Sequence, residues 1–576
     1  MSTTAERPSS KRAAASVVVQ HASRVLLADQ DPQGCWLVRA GYDITLAAEI
    51  VLAREFLGIA GPEATSSAAR QIRAAQQEDG GWDGGEPGPA PDPSASVLAY
   101  LALRVAGDPA DAYHMAAAAG WIRDAGGLDS AGVSAQIWLA MFGLTEWAEV
   151  PVPSPEAVCL PARAMLAVPG LGAWTGWSRV AAVTAAIIGA LRPVRSLPLE
   201  LSELRASRGR PFAQRGRGPL LAAPPVRAAQ RAMQPVAVRQ SGQWLAGWQE
   251  RLGQPDGPRL VWPCSLIALD ALGYPRSHPA QVAGLAWLDS AGVGARPAAA
   301  CLPPVRQSAF AVDALRVAGL AADNPAVVAA GRWLVGQRIQ GQAGGRGALA
   351  EPAACGWSFG PDGYPRPADT ALVLLALSRV DPSALTGGRV LGNAARWLAG
   401  MQGRDGSWAG CAVLTGYGVR ALASQPSCGD AEARAVRRGT VWLLRAQAPD
   451  GSWPGQRAGS DLLATSVALT ALRAAGVHPT KPAVRTAAGW LLGRQNPDGG
   501  WRLGNAAGGQ RPGGSDRAGT ARAMVALLAA GGQQTSDAVD AAAGWLTRAL
   551  LTDSGSPELL AALGSYLAAE EPCASR

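Results

Sequence analysis

Three stretches of this chain are near copies of one another, and a repeat of that length restricts the fold more than any other property. Each reads W-L-x-x-x-Q and then D-G-[SG]-W: Trp397 and Gln402 to Trp408, Trp442 and Gln447 to Trp453, Trp490 and Gln495 to Trp501. The leading tryptophans are 45 and 48 residues apart. Such a period marks stacked units, each burying an apolar face against the next. The recurring content is a helix end, a glutamine, a glycine turn and an indole, so the unit is a helix–turn–helix. The last carbonyls of a helix lack internal partners, and a glutamine amide can donate to them while an indole keeps water away. Asp-Gly favours a positive-φ turn that glycine adopts without steric cost. The tryptophan adds about 150–250 Å² of apolar surface. Gln402, Trp408, Gln447, Trp453, Gln495 and Trp501 are therefore read as structural.

Weaker copies extend the pattern. Gln30 to Trp36 and Gln77 to Trp82 lie toward the N-terminus, and Trp244 with Gln249 begins another that decays through Asp256-Gly257 to Trp262. Trp333 has Arg338 in the glutamine place, and Trp545 has Leu550. Between copies run helix-like segments rich in Ala, Leu and Val, while the alternation that marks strands is scarce. The expected fold class is all-α. With 576 residues the chain exceeds one ordinary core and divides into two domains.

Composition excludes several function classes. The net charge of +8 rests almost wholly on arginine, because lysine occurs only at Lys11 and Lys481. No dense basic patch alternates with aromatics, so no nucleic-acid partner is expected. Eight cysteines lie scattered without C-x-x-C spacing and with no secretory signal, which reads as reduced thiols in the cytoplasm. The isolated His21, His114, His278 and His478 form no spaced ligand set, and no two aspartates are adjacent, so neither zinc, magnesium nor another cofactor is expected. The apolar run Val180 to Leu191 is too short to span a bilayer. From Leu204 to Gln249 there is no acidic residue but there are eight arginines. This basic, Pro-rich region (204–240) is either a linker or a surface that docks on anionic lipid at the inner face of the membrane.

The repeats are similar to the QW motifs of the squalene–hopene cyclase and oxidosqualene cyclase family, the class II terpene cyclases. The opening "LLADQDPQGCWLVRAGYDITLAAEIVLAREFLG", the stretch "QIWLAMFGLTEWAEVPVPSPEAVCLP" and the segments "CLPPVRQSAFAVDALRVAGL" and "CGWSFGPDGYPRPADTALVLLAL" resemble that family as well. The resemblance runs from about residue 25 to 545. It implies two α–α (α6/α6-type) barrels, of β and γ type, enclosing an apolar cavity. The β-type barrel would take 15–28 plus 302–576, the γ-type barrel 29–301, and residues 1–14 would be a disordered tail. It also implies metal-independent protonation of a linear isoprenoid, a triterpene or a prenyl diphosphate, with carbocation ring closure. Aromatic faces hold such cations by roughly 0.5–2 kcal/mol each, and water must be kept out.

The chain departs from the family where the chemistry starts. The family's D-x-D-D segment aligns with Arg366-Pro367-Ala368-Asp369, so the central aspartate that donates the proton is Ala368 and only the last survives. Tyr417 replaces the histidine that assists it. Arg306, with Gln307, and Arg457 stand where the family has Trp-Asp and another cavity tryptophan. Asp369 is therefore either a helix cap or a substitute acid with Tyr417 as partner. Glu49 matches a family glutamate near the cavity that helps position or quench, and is then a third catalytic candidate, or it is a solvated helix charge. Arg306, Arg366 and Arg457 are surface charges, or a pocket whose guanidinium forks suit a diphosphate; with Trp262 and Trp357 they are the expected substrate contacts. The reading is a divergent terpene cyclase, with peripheral membrane docking and a homodimer as further expectations. Its rivals are a catalytically inactive homologue that binds an isoprenoid or a partner protein, and a barrel subunit like that of protein prenyltransferases, whose zinc ligands are absent here.

Overall fold

The structure, a computed structural model, describes residues 8–36, 44–59, 61–83, 92–159, 179–205, 224–250, 263–290, 305–340, 355–358, 365–385, 388–425, 429–455, 461–503, 514–552 and 555–569. The first helices in chain order are α1 (Pro8–Ala28), α2 (Ile44–Leu57), α3 (Pro62–Ala74), α4 (Pro93–Val105), α5 (Tyr113–Asp124), α6 (Val133–Met141) and α7 (Pro155–Val158). They are followed by α8 (Arg179–Leu191), α9 (Pro224–Gln249), α10 (Pro263–Ala271) and α11 (Pro279–Ser290). The remainder are α12 (Val305–Val317), α13 (Pro325–Gly336), α14 (Pro367–Leu377), α15 (Gly388–Gly400), α16 (Ala412–Ala423) and α17 (Asp430–Ala446). The last five are α18 (Asp461–Ala474), α19 (Pro482–Leu492), α20 (Arg517–Ala530), α21 (Gln533–Thr552) and α22 (Pro557–Ala568). A two-residue ribbon, Ile339–Gln340 against Cys355–Gly356, is antiparallel.

Helix starts follow their sequence signals. Pro stands in the first turn of α3, α4, α13, α14, α19 and α22, where its missing N–H costs nothing. Asp92, Asn324 and Asp516 each cap a first turn with a side-chain oxygen. In α18 every residue from Ala464 to Leu472 is buried, as an inner-layer helix requires.

Two hydrophobic cores form. One gathers buried residues between 44 and 288, the other those from 15 to 36 together with 305 to 566. In the second, α12, α14, α16, α18, α20 and α22 each pack on the next, and α22 packs back on α12, closing a ring. Outside it, α13, α15, α17, α19 and α21 each pack on the inner helix they follow. Helix α1 packs on α21 and α22 and so supplies the sixth outer helix. Because inner and outer helices alternate along the chain, all six inner helices run in one direction. In the first core α10, α2, α4 and α6 pack in series, α8 packs on α10, and α3, α5, α9 and α11 lie outside. Residues 160–178, between α7 and α8 in the chain, lie outside the described set.

Two expectations need correction. The N-terminal tail ends sooner than residue 14, because α1 starts at Pro8. Arg12 in it donates to the carbonyls of Tyr566 and Leu567 (3.2 and 3.1 Å), and Ala15 is fully buried. The first repeat, residues 30–36, belongs to the C-terminal core and not to the inserted barrel. Gln30 donates to Ala326 O (2.9 Å) and the Trp36 N–H to Ser308 Oγ (3.0 Å). A repeat tryptophan closes onto an inner helix, and the inner helix for Trp36 is α12, which lies far along the chain.

Candidate functional site

Every complete repeat closes in the same way. The Trp408 indole N–H donates to Leu398 O (2.9 Å), ten residues back, and its backbone N–H donates to Thr415 Oγ1 (3.0 Å) in the first turn of α16. Trp453 uses Leu443 O and Thr465, and Trp501 uses Leu491 O and Thr520. Trp36 with Ser308 and Trp82 with Ser96 repeat the geometry. Each glutamine amide donates to the turn glycine and to the next outer helix: Gln402 to Gly406 and Ala435, Gln447 to Gly451 and Ala483, Gln495 to Gly499 and Ala538. In the second N-terminal copy the glutamine in this place is Gln76, not Gln77; it donates to Gly80 O and His114 O. The Ser/Thr hydroxyls were missed in the sequence. Their signal is a Ser or Thr three or four residues into each apolar segment.

Trp357, expected as a substrate contact, is one of these joint residues. It is fully buried, its indole donates to Leu334 O (2.7 Å) and its backbone N–H to Thr370 Oγ1 (3.0 Å). Trp262 and Arg457 lie outside the described residues.

The inner face of the C-terminal ring is where a ligand can sit. Each inner helix is covered by inner neighbours on two sides and by outer helices on a third, so a face that keeps partial exposure looks into the lumen. On α12 that face carries Arg306, Phe310 and Asp313; on α14, Ala368, Leu372 and Leu375; on α16, Leu414, Tyr417 and Arg420. Arg522 on α20 and Glu558 on α22 are half-buried on theirs and pair at 3.3 Å. The spacing of three or four residues is one helical stripe.

The expected site residues of this ring gather at the end where the inner helices begin. Arg366 is the N-cap of α14 and its Nε lies 3.8 Å from Asp369 Oδ2. Asp369 is buried at 6% exposure. It is Ala368, one residue earlier, that occupies the lumen stripe. Arg306 stands over the Phe310 ring at 5.5 Å. Tyr417 projects from the neighbouring α16, two residues past its anchor Thr415, with Arg420 a further turn along. Arg420 keeps solvent contact, yet desolvation pushes its guanidinium below the ordinary arginine value, against the upward pull of Asp313 and Tyr417.

Glu49 belongs to the other core. It is buried on α2 and accepts from Ser134 Oγ (3.0 Å) and the Trp138 indole (3.2 Å), both on α6. It is not the solvated helix charge that was the alternative. Cys264 on α10 is buried nearby; burial, reinforced by the Glu49 charge, raises its thiol well above the ordinary range, so it is inert as a nucleophile.

A closed ring of six parallel inner helices inside six outer ones, tied by Gln–Trp joints, defines the α–α barrel of the class II terpene cyclases. The squalene-hopene cyclase N-terminal domain model matches residues 19–296 and the corresponding C-terminal domain model residues 302–415 and 410–558. The chain belongs to the squalene–hopene cyclase family. It is 30% identical over 501 residues to the squalene–hopene cyclase of Alicyclobacillus acidocaldarius, covering 80% of this chain and 78% of that one. It is 29% identical over 524 residues to the enzyme of the same name from Zymomonas mobilis, covering 80% and 77%. Among solved structures, an ent-copalyl diphosphate synthase from Streptomyces platensis aligns over 97% of this chain and 99% of its own, with 18% identity and a TM-score of 0.44.

Proposed function

We propose that this chain cyclises a linear isoprenoid within the C-terminal ring, by protonation and without a metal, with Asp369 as the acid. The observation that carries this reading is a buried carboxyl in the first turn of α14, next in the chain to Ala368 on the partly exposed inner stripe. An alkene is a very weak base, so the acid must both hold its proton until substrate is bound and donate it strongly. In the step, the carboxyl O–H breaks and its proton bonds to a terminal alkene carbon. The tertiary cation left on the adjacent carbon is attacked by the next double bond, and the last cation loses a proton or captures water. Tyr417 and Phe310 offer ring faces to these cations, and Arg306 and Arg366 give the mouth a positive field.

A second reading, a family member that binds an isoprenoid without turnover, is favoured by one observation. Ala368, which aligns with the family's proton donor, holds the lumen-facing place that Asp369 does not. Purified protein incubated with squalene, geranylgeranyl diphosphate and geranylfarnesyl diphosphate in the presence of a chelator separates the two. A cyclic product that disappears in Asp369→Asn supports the acid role. Binding of a substrate with no product, and product on introducing Ala368→Asp, supports the second reading.

The reading includes peripheral docking on a membrane, from which a lipid-soluble substrate is drawn. Among the described residues no helix is long and apolar enough to cross a bilayer. Residues 206–223 of the basic region 204–240 lie outside them, but α9 at its end exposes Met233 and Val236 beside Arg239. Co-sedimentation with anionic vesicles, set against neutral ones, tests this docking. A homodimer is part of the same reading, and light scattering tests it.

A further inference from the structure

The inner helices can be brought into register by their Ser/Thr anchors, Ser308, Thr370, Thr415, Thr465 and Thr520, each of which accepts the backbone N–H of a repeat tryptophan. Two residues beyond the anchors the lumen stripe carries Phe310, Leu372 and Tyr417, and on α20 Arg522, paired with Glu558. Five residues beyond, it turns polar on two helices, Asp313 on α12 and Arg420 on α16, beside Leu375 on α14; Thr470, at the equivalent place of α18, is buried. This polar level lies about 9 Å deeper than Asp369, six residues at 1.5 Å of rise each. Asp313 is committed to Arg379, just past the end of α14, at 2.6 Å. The Thr470 hydroxyl donates back to its own helix at Ser466 O (3.0 Å). Arg420 therefore faces the enclosed space with its carboxylate neighbour already paired to a second guanidinium, and the level carries a net positive charge.

We propose that this level is a phosphate-class anion subsite, in which Arg420 receives the diphosphate head of a prenyl diphosphate while the hydrocarbon runs past Phe310 and Leu372 toward the mouth. The inference rests on the reading that an isoprenoid enters this lumen and adds the headgroup that selects it. A guanidinium fork matches two phosphate oxygens at once, and desolvation strengthens the pair. Arg379 adds positive charge on the same side. The level above contributes apolar and aromatic side chains together with the Arg522–Glu558 pair, whose charges offset each other.

The test compares direct binding of geranylgeranyl diphosphate, the uncharged alcohol geranylgeraniol and inorganic pyrophosphate by calorimetry, in the intact protein and in Arg420→Gln and Arg420→Lys. The expected result is that the diphosphate binds at least tenfold tighter than the alcohol. That advantage disappears in Arg420→Gln and survives in part in Arg420→Lys, with affinity for the alcohol unchanged in both. Unchanged alcohol affinity also shows that the variants remain folded. Equal affinity for diphosphate and alcohol, or an advantage that survives Arg420→Gln, overturns the proposal. Pyrophosphate binding without any gain for the prenyl diphosphate assigns the site to a free anion and overturns the headgroup role. Tight, Arg420-dependent binding with no cyclic product leaves the subsite standing and removes the acid role of Asp369 instead.

Discussion

A single hydroxyl decides whether each joint between outer and inner helix is satisfied. The backbone N–H groups of Trp357, Trp408, Trp453 and Trp501 are buried, and each donates to one Thr side chain. A buried donor left without its acceptor costs about 1–3 kcal/mol. Thr465→Val, which keeps the shape and removes the acceptor, is expected to destabilise the protein by that amount in urea unfolding; a change below about 0.5 kcal/mol would mean another acceptor takes the N–H. The tryptophans and glutamines were legible in the sequence because they recur at fixed spacing and are rare enough to stand out. The threonines were not, because Ser and Thr are common and a hydroxyl's partner is set by tertiary contact. The same limit applies at the site. Alignment located Asp369 and Ala368, but only the helical stripe told which of the two faces the lumen.

At the scale of the helical hairpin, the repeat aspartate ties one unit to the next. Asp450 accepts from the Trp490 indole (3.0 Å) and Asp498 from that of Trp545 (3.3 Å). Hydrogen bonds from the Ser452 side chain and backbone, then from Trp490, hold Asp450 below the ordinary carboxylate value of 3.8. Burial works to raise Asp498, but donors on Ser515, Gly500 and Trp545 outweigh it, and it too is lowered. A carboxyl whose folded value is depressed contributes stability above its unfolded value, and loses it as pH falls through the folded one. Stability measured from about pH 5 down to about pH 2 is therefore expected to decline, and to decline less steeply in Asp450→Asn/Asp498→Asn. Equal slopes would show that these joints do not couple to acid. The sequence revealed the Asp-Gly turn of each hairpin. It could not reveal that the aspartate reaches the following unit, since that contact depends on how hairpins stack.

At the scale of the whole chain, the C-terminal ring is closed by residues from its far N-terminal end. Helix α1 fills the sixth outer position, and Trp36 donates across to Ser308 on α12. A chain beginning at residue 29 is expected to lose the cooperative unfolding of this ring, read as a broadened, lowered thermal transition; an unchanged transition would show that α1 is dispensable. The two-barrel plan was visible from repeat period and family resemblance, but the domain boundary was misplaced by several residues, because a repeat on the connection looks alike in either barrel. The central claim is that the C-terminal ring encloses the chamber that an isoprenoid enters. A crystal structure with a bound, unreactive prenyl diphosphate analogue tests this most directly. The account predicts the chain between Phe310 and Leu372, with its diphosphate at Arg420. A ring closed by its own side chains, with the analogue bound elsewhere, would contradict it.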